Sequence, residues 1–374
     1  MAEKESKQHS NNDYEIMIVG GGPAGISTWL HLYKYNPELA SKCVLIEKEK
    51  YPRDKLCGGG VGAWSPYVLK HLGIDLKLPC VSVSDIEFIF QKDVFTLHQP
   101  NMFMMIQRTD FDHELAKIAI KRGLQLYENE EFHDFTNQND CVKVKTNKRN
   151  YTLKILVGAD GSLSRVRRKM NLSNMNHLAQ TLEIYAPADT KYDQEYDKRK
   201  ITVDMTPQTK GLQGYVWHVP CIKDNKPYIG HGLADFRVYQ EKPKVNLKEI
   251  FSKELQQRNI TIEQKLWRSH PIRWPQKDDV ISKPHVILAG DAVGIEPAFG
   301  GGIHFALSYG DLAAQAIINA VTQKDYSFTD YNQRMQSHLV GKFLAKCTYV
   351  ASQLYDNRMD PFEAAREVFT IKKV

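Results

Sequence analysis

The amino-acid sequence predicts an α/β protein: a parallel-sheet nucleotide-type domain assembled from separated stretches, an inserted antiparallel sheet, and a helical C-terminal segment. Three observations predict it. Short β-branched apolar runs at Glu15 to Val19, Cys43 to Ile46, Lys154 to Val157 and His285 to Ala289 read as strands buried on both faces, and most lead into a glycine cluster. Between those runs, 81–100 and 176–279 alternate apolar and polar residues with period two, the mark of a sheet with one buried face. From Tyr331 onward, Met335, Leu339, Phe343, Cys347, Val350 and Leu354 recur every three or four residues, predicting one amphipathic helix.

The bulk composition narrows the class. The chain has 374 residues, 42% hydrophobic and 25% charged, a balance that excludes disordered, collagen-like and coiled-coil chains. Fifty basic against 44 acidic side chains leave a net charge of +6, which suits an anionic ligand or membrane surface without requiring either. No run interleaves arginines with aromatics, so no nucleic-acid partner is expected. Residues 1–12 read as a disordered polar leader without a signal-peptide layout. No run of about 18 apolar residues occurs. Cys43, Cys57, Cys80, Cys141, Cys221 and Cys347 are scattered without zinc spacing, and His113-Glu114 lacks a second histidine at Lys117, so no metal is expected. Free thiols fit a reducing cytoplasm. Arg334, Lys342 and Lys346 on the C-terminal helix leave peripheral membrane contact as a weaker alternative.

The first strand runs directly into Gly20-Gly21-Gly22-Pro23-Ala24-Gly25, and helical spacing follows at Ile26, Trp29, Leu30 and Tyr33. Gly20 permits the tight turn, Gly22 lets backbone approach a pyrophosphate, and Gly25 lets the helix lie close on the strand. The helix start, with Pro23 and Ala24, presents unpaired N–H groups and a positive dipole end to phosphates. The second strand ends at Glu47, followed by Lys48. A carboxylate there accepts from both ribose hydroxyls and repels a 2′-phosphate, so the spacing points to FAD or NAD and away from NADP.

Later clusters choose between those two. A strand ending in Gly290-Asp291 supplies an aspartate for a ribityl hydroxyl, and Gly300-Gly301-Gly302-Ile303 opens a helix whose positive end can face a flavin pyrimidine ring. The set resembles the FAD-dependent oxidoreductases of the glutathione-reductase-like superfamily, in the hydroxybenzoate hydroxylase branch. The matching motifs are Gly20 to Gly25, Gly158-Ala159-Asp160-Gly161 with Ser164-Arg165, and Gly290-Asp291. This resemblance implies a Rossmann-like FAD-binding domain of three-layer ββα architecture. It further implies that Asp160 lies near the FAD pyrophosphate and that Arg108 acts against FAD.

Two local motifs bear on the chemistry. Arg53-Asp54-Lys55-Leu56-Cys57-Gly58-Gly59-Gly60 is similar to the cysteine-glycine turn of geranylgeranyl reductases, which lies beside the flavin ring. Gly214-Tyr215-Val216-Trp217-His218-Val219-Pro220 resembles the Y-x-W-x-F-P motif of that family, with Val219 nearer to the halogenase form. Reduction of a C=C bond needs a hydride, a proton and a long apolar slot. Cys57 and Tyr215 are the candidate proton donors or positioners, and Trp217 with Phe299 can wall the slot. Each has an ordinary alternative: Cys57 packing in a turn, and the two strand aromatics as core. His218 and His304 read as structural. Glu296, before Pro297, either faces solvent or meets substrate.

These readings give an FAD enzyme of the geranylgeranyl reductase type that reduces a hydrophobic, prenyl-like lipid or small molecule. The rivals are a monooxygenase or halogenase acting through a C4a-hydroperoxide, and a non-catalytic prenyl carrier. With no second G-x-G-x-x-G, the electron donor is expected to dock transiently as NAD(P)H, or to be a flavin reductase or ferredoxin. The expected FAD-binding stretches are 13–80, 101–175 and 280–330. The sheet domain takes 81–100 and 176–279, and the helical segment takes 331–374.

Overall fold

The computed structural model describes residues 14–62, 64–172, 178–276 and 278–369. The leader expected at 1–12 lies outside these residues. A six-stranded sheet runs in the order Ser282–Lys283, Val286–Leu288, Ile155–Gly158, Ile16–Val19, Cys43–Glu47 and Gln125–Glu128. All its pairs are parallel except that of the edge strand Ser282–Lys283. Ile16, Met17, Ile18, Val44, Leu45, Val157 and Ile287 are all fully buried, as strands covered on both faces must be. The helices Pro23–Tyr35 and Gly302–Gln323 pack together on this sheet. Residues Phe132–Asn137, Val142–Thr146 and Asn150–Leu153 form a small antiparallel sheet. The Rossmann-like FAD-binding domain therefore has the three-layer ββα build that the motifs imply.

The inserted sheet has eight strands, and Gly214–Lys223 pairs antiparallel with Lys226–Asp235, which pairs antiparallel with Leu178–Pro187. It departs from a purely antiparallel design at one junction. Lys200–Asp204 runs parallel to Val81–Phe90, with Ile201 opposite Ile86. These strands come from the two separate insertions, so no hairpin forces them antiparallel. At the far edge, Gly60–Gly62 pairs with Met105 to Phe103. The turn after Cys57 is thus stitched into the inserted sheet, and Ile106 N also donates to the Gly59 carbonyl at 3.0 Å.

The C-terminal segment is three helices, Tyr331–Ser337, Leu339–Tyr355 and Pro361–Phe369, where the periodicity predicts one. His338 adopts an extended conformation and caps the second helix by accepting from Val340 N at 3.3 Å. Asn357, at φ 58°, and Pro361 separate the last two. The final helix lies on the inserted sheet, with Phe369 and Phe88 rings 5.5 Å apart. Among the described residues, no helix is long and apolar enough to cross a membrane.

Candidate active site

One cavity of about 720 Å³ joins the end of the parallel sheet to the inner face of the inserted sheet. Gly20, Gly22, Pro23, Ala24, Glu47, Lys48, Cys57, Gly58, Arg108, Asp160, Asp291, Gly301, Gly302 and Ile303 all line it, as do Tyr215 and Trp217. Gly25 does not line it. A side chain there would land on the Gly20 carbonyl, so Gly25 sets the distance between helix and strand.

The dinucleotide end is a cradle formed by absent side chains. Gly20 has φ 105°, and a Cβ on it would strike the Ala159 carbonyl. Gly22 caps the first helix without any side-chain cap, and a Cβ on it would meet only Arg53 Nη2 at 3.8 Å. The open space before that helix start suits a pyrophosphate. Glu47 is buried, accepting from Gly21 N at 2.9 Å and Glu49 N at 3.1 Å. Its two oxygens keep lone pairs for further donors. Gly301, at φ 96°, caps the long helix Gly302–Gln323, again without a side-chain cap.

Three polar residues behave differently from a surface reading. Arg108 is buried and forks onto Asp112, with both nitrogens at 2.8 Å from its oxygens. Arg53 adds a second contact to Asp112 at 3.0 Å and lies 3.4 Å from Glu47. Asp160 reaches the cavity wall, yet its carboxylate accepts from Ser164 Oγ and the Arg165 and Val166 backbone N–H groups, capping the short helix that follows. Glu296 is 8% exposed and lines the cavity, so its solvent-facing alternative is corrected. It accepts from Gly300 N at 2.9 Å, and burial pushes its carboxyl up to about 8. His304 opens the same helix, and burial pushes it down to about 3. His218 faces away from the cavity side and contacts His231, Nδ1 to Nδ1, at 2.7 Å.

Glu296 gives a measurable sign. A carboxyl raised from 4.5 to about 8 in the folded chain contributes stability below pH 4.5 that is lost as pH rises through 8. Melting of the apoprotein should therefore fall over that window more for wild type than for Glu296→Gln. Parallel melting curves for the two proteins would refute the assignment.

The other end of the cavity is apolar. Ile86, Phe103, Met105, Ile201, Val203 and Val219 line it together with Phe299 and Phe369. Tyr215 and Trp217 stand edge to face, with centroids 6.1 Å apart, on the strand face that looks into this space. Burial pushes the Tyr215 phenol well above its ordinary value, so it keeps its proton. Cys57 is half-buried; burial raises its thiol, Sγ accepts from Gly59 N at 3.4 Å, and its carbonyl accepts from Tyr185 Oη at 3.0 Å. Arg53, Lys55, Glu183 and Phe369 also line the cavity, and Asp112 sits behind Arg53 and Arg108, although sequence reasoning assigned none of them to the site. Arg53 and Lys55 lay within the cysteine-glycine turn, and Arg108/Asp112 carried the signal of an i,i+4 ion pair on a helix. Among the described residues, no cluster of His, Cys, Asp and Glu could hold a metal ion.

Comparison with known proteins agrees with this geometry. A family model described as an FAD binding domain matches residues 13–321. The chain is 25% identical over 330 residues to the digeranylgeranylglycerophospholipid reductase of Methanosarcina acetivorans, covering 84% of this chain and 77% of that one. It is 23% identical over 383 residues to a 1H-pyrrole-2-carbonyl-[peptidyl-carrier protein] chlorinase of Pseudomonas fluorescens, covering 86% and 80%. A geranylgeranyl bacteriochlorophyll reductase-like structure from Thermoplasma acidophilum superposes with a TM-score of 0.71 at 18% identity, covering 95% of each chain.

Proposed function

The chain belongs to the FAD binding domain family, and from that membership we propose that this FAD-dependent oxidoreductase reduces C=C bonds of a hydrophobic, prenyl-like substrate. The observation that carries the reading is the continuity of the cavity: the glycine cradle passes, at the Cys57-Gly58 turn, directly into an apolar slot. A slot of this kind, lined mainly by aliphatic and aromatic side chains with Glu183 and Glu296 on its wall, accepts an apolar chain. When bound, FAD supplies the two-electron hydride exchange, from N5 of its reduced form. Gly20, Gly22, Pro23, Ala24 and Glu47 would hold its dinucleotide half, while Asp291, Gly301, Gly302 and Ile303 would face the ring end. Tyr215 and Trp217 would orient the alkene and exclude water, and Cys57 would position the substrate as a neutral thiol.

The likeness to a reductase in the cysteine-glycine turn supports this choice. Val219 and the likeness to a chlorinase favour a second reading, oxygen-dependent halogenation or hydroxylation. One experiment separates them. Enzyme photoreduced without oxygen is mixed with prenyl diphosphates, prenyl lipids and small aromatic acids, and then with oxygen and halide. Reoxidation by prenyl compounds with a saturated product supports the reductase; product that requires oxygen or halide overturns it. Cys57→Ala should retain FAD and lower alkene turnover about tenfold or more, or redirect the product. Unchanged kinetics would reduce Cys57 to packing.

A further inference from the structure

We infer that Glu183 is the proton donor of the reaction, delivering its carboxyl proton to the alkene carbon opposite the one that receives the hydride. The inference rests on the reductase reading above. Its starting point is a row of residues across the inserted sheet. Glu183 is opposite Gly232, and Gly232 is opposite Trp217, on three adjacent strands. Gly232 has no side chain, so the Trp217 indole lies across it toward Glu183; a Cβ at Gly232 would strike the ring. The indole Nε1 also lies 3.5 Å from where a Cβ on Gly58 would stand. Trp217, Glu183 and the turn beside the flavin site thus converge on one stretch of cavity wall.

Two polar atoms there lack partners. Glu183 Oε1 and Trp217 Nε1 are both buried without a hydrogen bond, Tyr185 hydrogen-bonds the Glu183 carboxyl, and Glu183 as a whole is 2% exposed. Buried polar groups in native proteins are nearly always paired, so these two free positions beside one another on the cavity wall are available to a ligand group. Of this pair Trp217 only donates a hydrogen bond, so Glu183 is the member able to release a proton. Burial pushes its carboxyl up to about 7, with Tyr185 and Arg268 opposing the rise and Asp54 adding to it. Arg268 is itself paired with Asp54. Tyr185, two residues along the strand, holds the Cys57 carbonyl and ties the carboxyl's position to the turn.

The step balances. The carboxyl O–H bond breaks and a C–H bond forms, while a hydride from reduced FAD forms the second C–H bond. The alkene gains two electrons and the cofactor loses two, which a nicotinamide or iron–sulfur donor restores. The Glu183 carboxylate regains its proton from solvent.

The test uses Glu183→Gln and Glu183→Asp beside wild type, with two readouts. In photoreduced holoenzyme, the ratio of reoxidation rates with a prenyl diphosphate and with ferricyanide, which takes electrons without forming C–H bonds, should fall on the order of a hundredfold in Glu183→Gln. Glu183→Asp should recover part of it. The wild-type alkene rate should decline as pH rises through about 7, and this limb should be missing in Glu183→Gln. In apoprotein, infrared difference spectra should show two carboxyl bands in this range in wild type, one titrating near 7 that is lost in Glu183→Gln and one titrating near 8 that is lost only in Glu296→Gln. An unchanged ratio, or a wild-type band near 7 that persists in Glu183→Gln, overturns the assignment. A wild type whose reduced flavin no alkene reoxidises overturns the reductase reading and the proton's destination with it, whereas the infrared band speaks to the carboxyl alone.

Discussion

Gly22→Val is expected to give a folded but colourless protein. Gly22 has φ −75° and ψ −179°, a conformation open to any residue, and the nearest atom to an added Cβ is Arg53 Nη2 at 3.8 Å. The protein itself therefore tolerates a side chain there, at a cost of about 1 kcal/mol for a poorer helix cap. What the valine fills is the space before the helix start, where the pyrophosphate must come within hydrogen-bonding reach of backbone N–H groups. FAD affinity should fall by on the order of 100-fold or more, equivalent to roughly 3 kcal/mol. Flavin fluorescence titration beside a thermal melt of the apoprotein reads both quantities; a yellow protein would refute the site. Gly25→Ala provides the contrast. Its added carbon meets the Gly20 carbonyl, so the helix is pushed off its strand and folding suffers with binding.

The second large effect belongs to Asp112→Ala. Asp112 is 1% exposed and lies between two guanidinium groups, Arg108 at 2.8 Å and Arg53 at 3.0 Å. Removing the carboxylate leaves Arg108 buried and uncompensated and Arg53 with only Glu47 at 3.4 Å. Breaking a buried pair in this way costs about 3–5 kcal/mol. Urea unfolding of the apoprotein should show that loss, and Asp112→Ala/Arg108→Leu should recover part of it by removing the stranded charge. A loss below about 1 kcal/mol would mean that water already reaches both arginines. Saturating FAD should narrow the deficit, because the pyrophosphate brings negative charge toward the same guanidinium groups.

The parts of the site written locally were legible in the sequence. The strand, turn and helix from Ile16 to Tyr35 carry their own instructions, since Gly20, Gly22 and Gly25 act on neighbours a few residues away. Glu47 was legible for the same reason, at the end of the adjacent strand. The misses arise where position depends on distant pairing. Glu183 reaches the cavity because three strands align it with Gly232 and Trp217, a register no short window contains. Phe369 enters from a helix nearly 300 residues beyond Phe88, the ring it meets. Asp160 was legible as a site residue by its motif, but not the use of its carboxylate as a helix cap, because Ser164 to Val166 compete for it at close range. The single C-terminal helix failed because the apolar spacing continues across the break at His338, which also moves the inward face: Val340 and Leu344 are buried, while Leu339, expected inward, is 75% exposed.

The pairing of Gly60–Gly62 with Met105 to Phe103 means that the turn at the flavin and the wall of the slot are one continuous backbone fabric. A hinge between them would have to unzip those hydrogen bonds and the one from Ile106 to Gly59. Cofactor and guest, placed as proposed, would be registered to each other by the main chain, so that an ill-fitting guest would press on the turn beside the flavin.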